Sequence, residues 1–550
     1  MALPVENRND DTIAAIATAV TEAGIGIIRI SGTDAISIGD RIFRNASGCR
    51  ALAGYQANTI HFGHIIDPEQ KITLDEVMVS VMKHPHSYTT EDTVEINTHG
   101  GIFLLHRILE LVLREGARLA EPGEFTRRAF LGGRIDLAEA EAVMDLISSQ
   151  NEFALESSAS QLTGVLSGKI RSLRARVIHE LAFIESALDD PENYDTEQYP
   201  QQLKKTVQEL IGEMDALLFN ADDHRILKEG IRTAIIGRPN AGKSSLLNYL
   251  AGEDRAIVTD IAGTTRDTLE ESVRVGGVLL HLIDTAGIRQ TEDVVEKIGV
   301  ERARKAMNSS DLILLLFDSS SSLTEEDRFI VKEAACAVQQ CSRCIVLLNK
   351  TDLTEQCSED QNTVAAFLED NGFSGFSGAA ERGGNRNRKD EDSAAAFLEE
   401  DGFFAEEARN RNRKDKNSVT EFLEKDGFAW EAVQNSENRK GSDLFPPILP
   451  VSVKTGEGME ALPEKIRELF HAGEIQDKNE VYITAKRHAE AVRNARNSLH
   501  LVLHSIEDGM SEDFYSIDLM NCYAELGKIL GEQVEDDLVE EIFSKFCLGK

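Results

Sequence analysis

The stretch Ile231 to Ser245, Ile-Arg-Thr-Ala-Ile-Ile-Gly-Arg-Pro-Asn-Ala-Gly-Lys-Ser-Ser, constrains this chain more than any other. Ile231, Ala234, Ile235 and Ile236 read as a short buried strand. Gly237 to Ser244 then fits the phosphate-loop pattern of a glycine, four residues, and Gly-Lys-Ser. Ser245 to Leu250 continues as a helix. The glycines let backbone N–H groups point at a phosphate chain, and the helix N-terminus adds positive potential. In that frame Lys243 reaches the β- and γ-phosphates and Ser244 ligates Mg²⁺, with Asn240, Ala241, Gly242 and Ser245 completing the phosphate contacts.

From residue 230 onward strand and helix patterns alternate, the mark of a parallel-rich sheet with helices on both faces. Strands are expected at 231–236, 278–283, 311–317, 345–349 and 448–452. Ligand-binding loops should follow their carboxyl ends, and the remaining motifs sit there. In Asp284-Thr285-Ala286-Gly287 the carboxylate can hold the Mg²⁺ shell through water and the Gly287 N–H can sense a γ-phosphate. In Asn349-Lys350-Thr351-Asp352 the last carboxylate can accept from both N1–H and N2–H₂ of guanine. Adenine lacks that donor pair and would leave a desolvated carboxylate unpaired, so the site selects GTP. Ser452, Val453 and Lys454 back the base.

Hydrolysis needs a positioned water, and the residue after Gly287 is Ile288, where many small GTPases carry a glutamine. The segment Thr259, Asp260, Ile261, Ala262, Gly263, Thr264, Thr265 offers another arrangement. Thr265 can complete the Mg²⁺ shell. Oxygens of 259–264, with Asn240, can cage a monovalent cation where an arginine finger otherwise supplies charge. Glu296 is the candidate for orienting water.

A chain of 550 residues has room for about three or four domains. Its net charge of −36 argues against a protein that simply coats nucleic acid. RNA would have to be met by a local basic patch or a partner. The seven scattered cysteines suit a reduced, cytoplasmic compartment. No apolar run reaches 18 residues and no leader pattern opens the chain, so no membrane segment is expected.

Residues 1–125 mix strands (Gly24–Gly32, Thr93–Asn97) with a helix from Ile102 to Leu113. Arg29 and Glu95 are charges set in strand-like apolar runs, and the pattern alone favours a buried ion pair over ligand contact. Residues 126–225 turn helical, with stretches Asp136–Ile147 and Leu162–Leu188. Leu166, Ile170, Leu173, Val177 and Leu181 form one apolar stripe of the latter. Residues 473–550 are helical again, Leu526 to Phe546 closing the chain. The nucleotide-binding unit, 226–472, is therefore expected to be inserted into a helical domain. Within it, Ala365-Ala-Phe-Leu-Glu-Asp-Asn-Gly-Phe373 recurs at 395–403 and 420–428, separated by Asn-Arg-Asn-Arg-Lys-Asp runs. The repeats read as an expansion, 357–444, inserted in a surface loop, partly disordered with short helices. Cys336, Cys341 and Cys344 echo an iron–sulfur spacing, but a helix and a strand separate them. Cys547 near the terminal lysine reads either as an activated thiol or as a structural one.

Three stretches together, 237–245, 259–267 and the tail Phe-Cys-Leu-Gly-Lys550, resemble the MnmE (TrmE) family of tRNA modification GTPases. So do Gly24–Gly32, Glu121-Pro-Gly-Glu-Phe-Thr126 and Ile135–Ala142. The likeness covers nearly the whole chain except about 357–444. It implies a multidomain α/β and α protein. Residues 1–125 would be a tetrahydrofolate-binding-like, dimerising α+β domain, ahead of the helical domain and the inserted Ras-like P-loop GTPase domain. It implies that Arg29, Glu95, Arg134 and Lys550 contact a 5-formyl- or methylene-tetrahydrofolate, which reverses the ion-pair reading. It further implies K⁺ at Asn240, Thr259, Ile261 and Thr264, Mg²⁺ at Ser244 and Thr265, and catalysis by Glu296. K⁺ would promote GTP-dependent pairing of two G domains in a homodimer. A flavoprotein partner, MnmG, would bring FAD and NADH. The pair would add an aminomethyl or carboxymethylaminomethyl group at C5 of the wobble uridine, position 34, of certain tRNAs. A GTP-switched ribosome-assembly factor is the alternative, because G-domain motifs alone do not separate the two. Three features depart from the family pattern: the repeats, Val453 where alanine is usual, and Thr90 where glycine is common.

Overall fold

The computed structural model describes residues 11–50, 52–190, 198–219, 221–253, 271–283, 304–339, 342–353, 357–373, 445–470, 481–532, 536–544, 546 and 549. The chain forms two compact units, Met1–Glu229 with Phe470–Lys550, and Gly230–Leu469. Among the described residues no helix is long and apolar enough to cross a membrane.

In the first unit, alternating residues build one seven-stranded sheet. Its strands are β1 (Ile13–Ile16), β2 (Ala23–Ser31), β3 (Phe43–Asn45), β4 (Thr59–Asp67), β5 (Ile72–Met82), β6 (Thr93–Gly100) and β7 (Arg118–Leu119), ordered β3-β4-β5-β6-β2-β1-β7. All pairs are antiparallel except β1–β7. Ile28, Ile30, Val79, Val81, Val94 and Ile96 turn to one face. There they bury against Ile38 and Ile42 of α1 (Ala35–Ile42) and Leu105, Ile108 and Val112 of α2 (Ile102–Arg114). The intervening residues Arg29 and Glu95 therefore share the other face, directly opposite one another in register.

Helices α3 (Glu124–Leu131), α4 (Leu137–Ser148), α5 (Glu152–Leu162), α6 (Val165–Asp189), α7 (Tyr199–Leu218) and α8 (Ala221–Glu229) follow. Asp136 and Glu139 form a reciprocal capping box at the head of α4, and Asn151 caps α5 by accepting from the Ala154 N–H at 2.7 Å. The helix expected over Leu162–Leu188 is broken at Thr163–Gly164, Gly164 taking φ 80°. The apolar stripe of α6 is buried with Leu203, Val207 and Met214 of α7 and with Val492, Leu499, Leu519 and Leu526 of the closing helices Lys486–Glu507 and Glu512–Leu530. The chain does not close in one helical run from Leu526. Gly531, at φ 86°, ends the first helix in a left-handed cap, and Asp536–Ser544 is a separate helix.

The second unit carries six strands: β8 (Ile231–Ile236), β9 (Glu271–Val275), β10 (Val278–Ile283), β11 (Leu312–Asp318), β12 (Arg343–Asn349) and β13 (Ile448–Pro450), ordered β13-β12-β11-β8-β10-β9. All pairs are parallel except β9–β10. β9 is absent from the sequence expectation. Gly276 and Gly277, both with positive φ, make the two-residue turn that returns β9 onto β10.

The first repeat copy carries one of the short helices expected of it, but it is packed into the core rather than held in a surface loop. Cys357–Asp370 is a helix, and Val364, Leu368 and Phe373 are buried with Val346 and Leu348 of β12. Apolar burial thus claims 364–373 for the core, and the other two copies lie outside the described residues. Leu368 is fully buried. Leu368→Ala should cost about 2–5 kcal/mol in denaturant unfolding of this unit. A cost under about 0.5 kcal/mol, the surface level, would return this copy to the loop.

Candidate functional site

β8 lies between β10 and β11, so the loop after Ile236 opens where the strand order reverses direction. Asn240 and Gly242 take φ 63° and 104°, left-handed positions that suit Asn and Gly. Such residues, interleaved with ordinary ones, make a loop concave on its N–H side. The helix Lys243–Glu253 begins immediately, with Ser244 and Ser245 exposed at its head. Lys243 Nζ donates to the carbonyls of Gly237 at 2.6 Å and Arg238 at 2.7 Å. Burial lowers its ammonium below the usual lysine range.

Asn349, at the end of β12 and 3% exposed, ties this loop to the neighbouring ones. Its Nδ2 donates to the Ala241 carbonyl at 2.8 Å, and its Oδ1 accepts from the Val453 N–H at 3.1 Å. A Cβ on Gly242 would stand 2.1 Å from the same Nδ2, so this position requires glycine twice over. Ser452 Oγ donates to Asp352 Oδ1 at 2.9 Å, and Lys350 Nζ to Asp318 Oδ2 at 2.6 Å. Burial pushes the Asp318 carboxyl up, but its bonds from Lys350 and Ser320 hold it below the usual range. Asn240, Ala241, Gly242, Lys350, Thr351, Asp352, Ser452, Val453 and Lys454 follow the carboxyl ends of β8, β12 and β13, with Lys243 opening the next helix and Asn349 ending β12. Thr259 to Thr265, Asp284 to Gly287 and Glu296 lie outside the described residues.

The first unit gathers a second set. Arg29 Nε donates to Glu95 Oε1 at 2.7 Å, the contact expected from the strand pattern alone. Arg29 Nη1 donates to the Gly549 carbonyl at 3.3 Å, which brings the tail to this face. The Tyr88 ring lies 5.3 Å from the Arg29 guanidinium and 4.5 Å from that of Arg134, and its hydroxyl is 2.9 Å from Thr126 Oγ1. Lys550 and Cys547 lie outside the described residues. Thr90, two residues after Tyr88, takes φ 65°, which gives the physical reason why glycine suits that position. Cys336 is exposed, whereas Cys344 is buried in the second unit's core, where burial pushes its thiol up.

Sequence reasoning missed Tyr88, Asp318 and the structural part of Asn349. Tyr88 was within reach as an aromatic flanked by small polar residues. Asp318 carries no motif and is found only through the pairing of β11 with β12.

A parallel-rich sheet with this phosphate loop after a central strand, and a fixed aspartate two strands away, defines a P-loop GTPase-like protein. The comparisons with known proteins go further. Residues 12–134 match the family model described as GTP-binding protein TrmE N-terminus, and residues 137–547 match the MnmE helical domain. The chain is 42% identical over 540 residues to the tRNA modification GTPase MnmE of Lachnoclostridium phytofermentans, covering 98% of this chain and 99% of that one. It is 43% identical over 541 residues to the protein of the same name from Enterococcus faecalis, with 98% of each covered. For that of Bacillus licheniformis the identity is 40%, covering 98% of this chain and all of the relative. The chain belongs to the MnmE (TrmE) family.

Asn349→Ala leaves two buried backbone groups unpaired. It should destabilise the second unit by about 1–3 kcal/mol per group, measured by chemical denaturation. An unchanged unfolding midpoint would remove the bridge from the account.

Proposed function

We propose that this chain is a K⁺-stimulated GTP hydrolase that drives tRNA modification in the cytoplasm. One observation carries the reading: the Asp352 carboxylate is held by Ser452 in a loop that Asn349 joins to the phosphate loop. A carboxylate so fixed favours guanine, whose paired donors satisfy it, over adenine, which leaves it bare. The names borne by relatives 40–43% identical supply the tRNA half of the reading.

In this reading Lys243 reaches the β- and γ-phosphates and Glu296 orients the attacking water. Ser244 and Thr265 would hold Mg²⁺, and Asn240, Thr259, Ile261 and Thr264 would hold K⁺. Of the described members, Asn240 and Ser244 are exposed and carry the oxygen donors that hard cations take. Bound there, the cations would neutralise charge growing on the transferred phosphoryl group.

The Arg29, Glu95, Tyr88 and Arg134 cluster, with Lys550, would hold a tetrahydrofolate derivative. Its chemistry fits: a carboxylate suits the N–H donors of a pterin, and an aromatic ring with guanidinium groups suits a flat heterocycle and an anionic tail. Residues 1–125 would also pair two chains. Ile60, Phe62 and Met78 are exposed large apolar residues of β4 and β5, Phe62 and Met78 being cross-strand partners, and such a patch suits a second copy. With the flavoprotein MnmG supplying FAD and NADH, the dimer would add the aminomethyl or carboxymethylaminomethyl group at C5 of the wobble uridine.

GTP turnover by the full chain should be at least about tenfold faster in KCl than in NaCl, since a charge placed at the phosphoryl group is worth orders of magnitude. Equal rates would remove the cation cage and favour a slow switch of the assembly-factor kind.

A further inference from the structure

The chain leaves the first unit after Glu229 and returns to it at Phe470, and both crossings are fastened to the same two helices. On the outgoing side, the Leu227 carbonyl accepts from buried Asn151 Nδ2, at the head of α5, at 2.9 Å. Lys228 Nζ donates to Asp145 of α4 and, at 3.3 Å, to Thr484 Oγ1. On the returning side, Gln161 Nε2 of α5 donates to the Tyr482 carbonyl and to Thr484 Oγ1, both at 3.1 Å. The rings of Phe153, His224 and Tyr482 pack together between the two crossings, with centroids 5.0–5.8 Å apart.

Four residues beyond Thr484, fully buried His488 places Nε2 2.7 Å from Glu141 Oε2 of α4. Arg487 reaches the same carboxylate through Nε at 3.1 Å and Nη2 at 2.9 Å. Burial pushes the Glu141 carboxyl up, but the bonds from His488 and Arg487 outweigh it and hold the group down at about 2. The buried Nδ1 of His488 has no hydrogen-bond partner among the described residues. A group placed for stability alone would be apolar or fully paired, so this pair is better read as fixing a position.

Helix α4 links that position to the candidate ligand face. Glu141 lies about one and a half turns, roughly 7.5 Å, from the Asp136 cap of α4. Asp136 caps that head, and Arg134, just before it, stacks on Tyr88. Ile135, Leu137 and Ala140 are buried with Phe543 and Phe546 of the tail segment. A shift of 227–228 or of 482–488 has to break these hydrogen bonds or carry α4 and α5 with it, and the charge-assisted bonds to Asp145 and Glu141 favour the second course.

We propose that Glu141 and His488 are positioning residues that make α4 a rigid lever between the roots of the nucleotide-binding unit and Arg134. The nucleotide state of that unit thereby sets the order of residues 134–141. The ligand named at Arg134 rests on the function proposed above, whereas the lever does not.

The test is hydrogen–deuterium exchange of the full-length protein in KCl, comparing GDP with GDP–aluminium fluoride. In the wild type, amides of 134–141 should differ between the two states by at least about fivefold, the low end of allosteric coupling. Glu141→Gln and His488→Gln should abolish that difference while GTP turnover in KCl persists. A purely structural role would lower the melting temperature and leave the state dependence intact. If either variant fails to fold, Lys228→Met removes the outgoing contact instead, and it should blunt the difference. No difference in the wild type, or a difference retained in the folded variants, overturns the proposal. Affinity for 5-formyl-tetrahydrofolate, measured in parallel, should differ between states in the wild type alone. Absence of any folate binding would sink the one-carbon reading and leave the exchange result to decide the lever.

Discussion

One buried amide closes the nucleotide-binding end of the second unit. Asn349 gives its N–H to the phosphate loop at Ala241 and takes one from Val453 after β13, so loops from three strands share a single side chain. The close approach of that amide to Gly242 leaves no room for a Cβ there. The loop's glycine and the orientation of the base-side loop are therefore one constraint. Lys243, held on loop carbonyls and pressed by burial toward its neutral form, gains most from a ligand that restores a full set of anionic partners.

The first unit solves a different problem, presenting charge on a sheet face without wasting it. Arg29 and Glu95 face each other across β2 and β6 and satisfy one another in part. Behind them, buried Arg128 ties Asp11, Glu91 and Glu124 together, and Ser31 donates to the same Glu91 at 2.7 Å. Glu91 belongs to the loop that carries Tyr88, so the ring between Arg29 and Arg134 rests on a charged foundation. The ion-pair reading and the ligand reading of Arg29 and Glu95 are thus compatible, because strand register supplies the pair and both side chains, 14% and 22% exposed, keep part of their surface accessible.

Much of this was legible in the sequence. Periodicity located α2, α4 and α6 and five strands of the second unit to within a few residues, and the phosphate loop stands where strand–loop–helix patterning put it. Most of what escaped depended on contacts distant in the chain, and β9 is the local exception. β9 is too short and polar to announce itself without the glycine turn that folds it onto β10. The first repeat copy reads as a short helix in a surface loop because its two relatives sit among polar runs, yet Leu368 and Phe373 find a core built mainly by β11 and β12. Gly531 ends its helix in a left-handed cap, and Phe130, 401 residues earlier in the chain (531 − 130), stands where a Cβ would go. The joining role of Asn349 could not be read from its motif, which describes only what the loop offers a base.

The central claim is that triphosphate turnover in the second unit drives chemistry on tRNA. The direct measurement is nucleoside analysis of tRNA from cells whose sole copy of this gene carries Lys243→Ala. The account predicts wobble uridines without their C5 substituent while the protein is present at normal level. Fully substituted wobble uridines in those cells would contradict it.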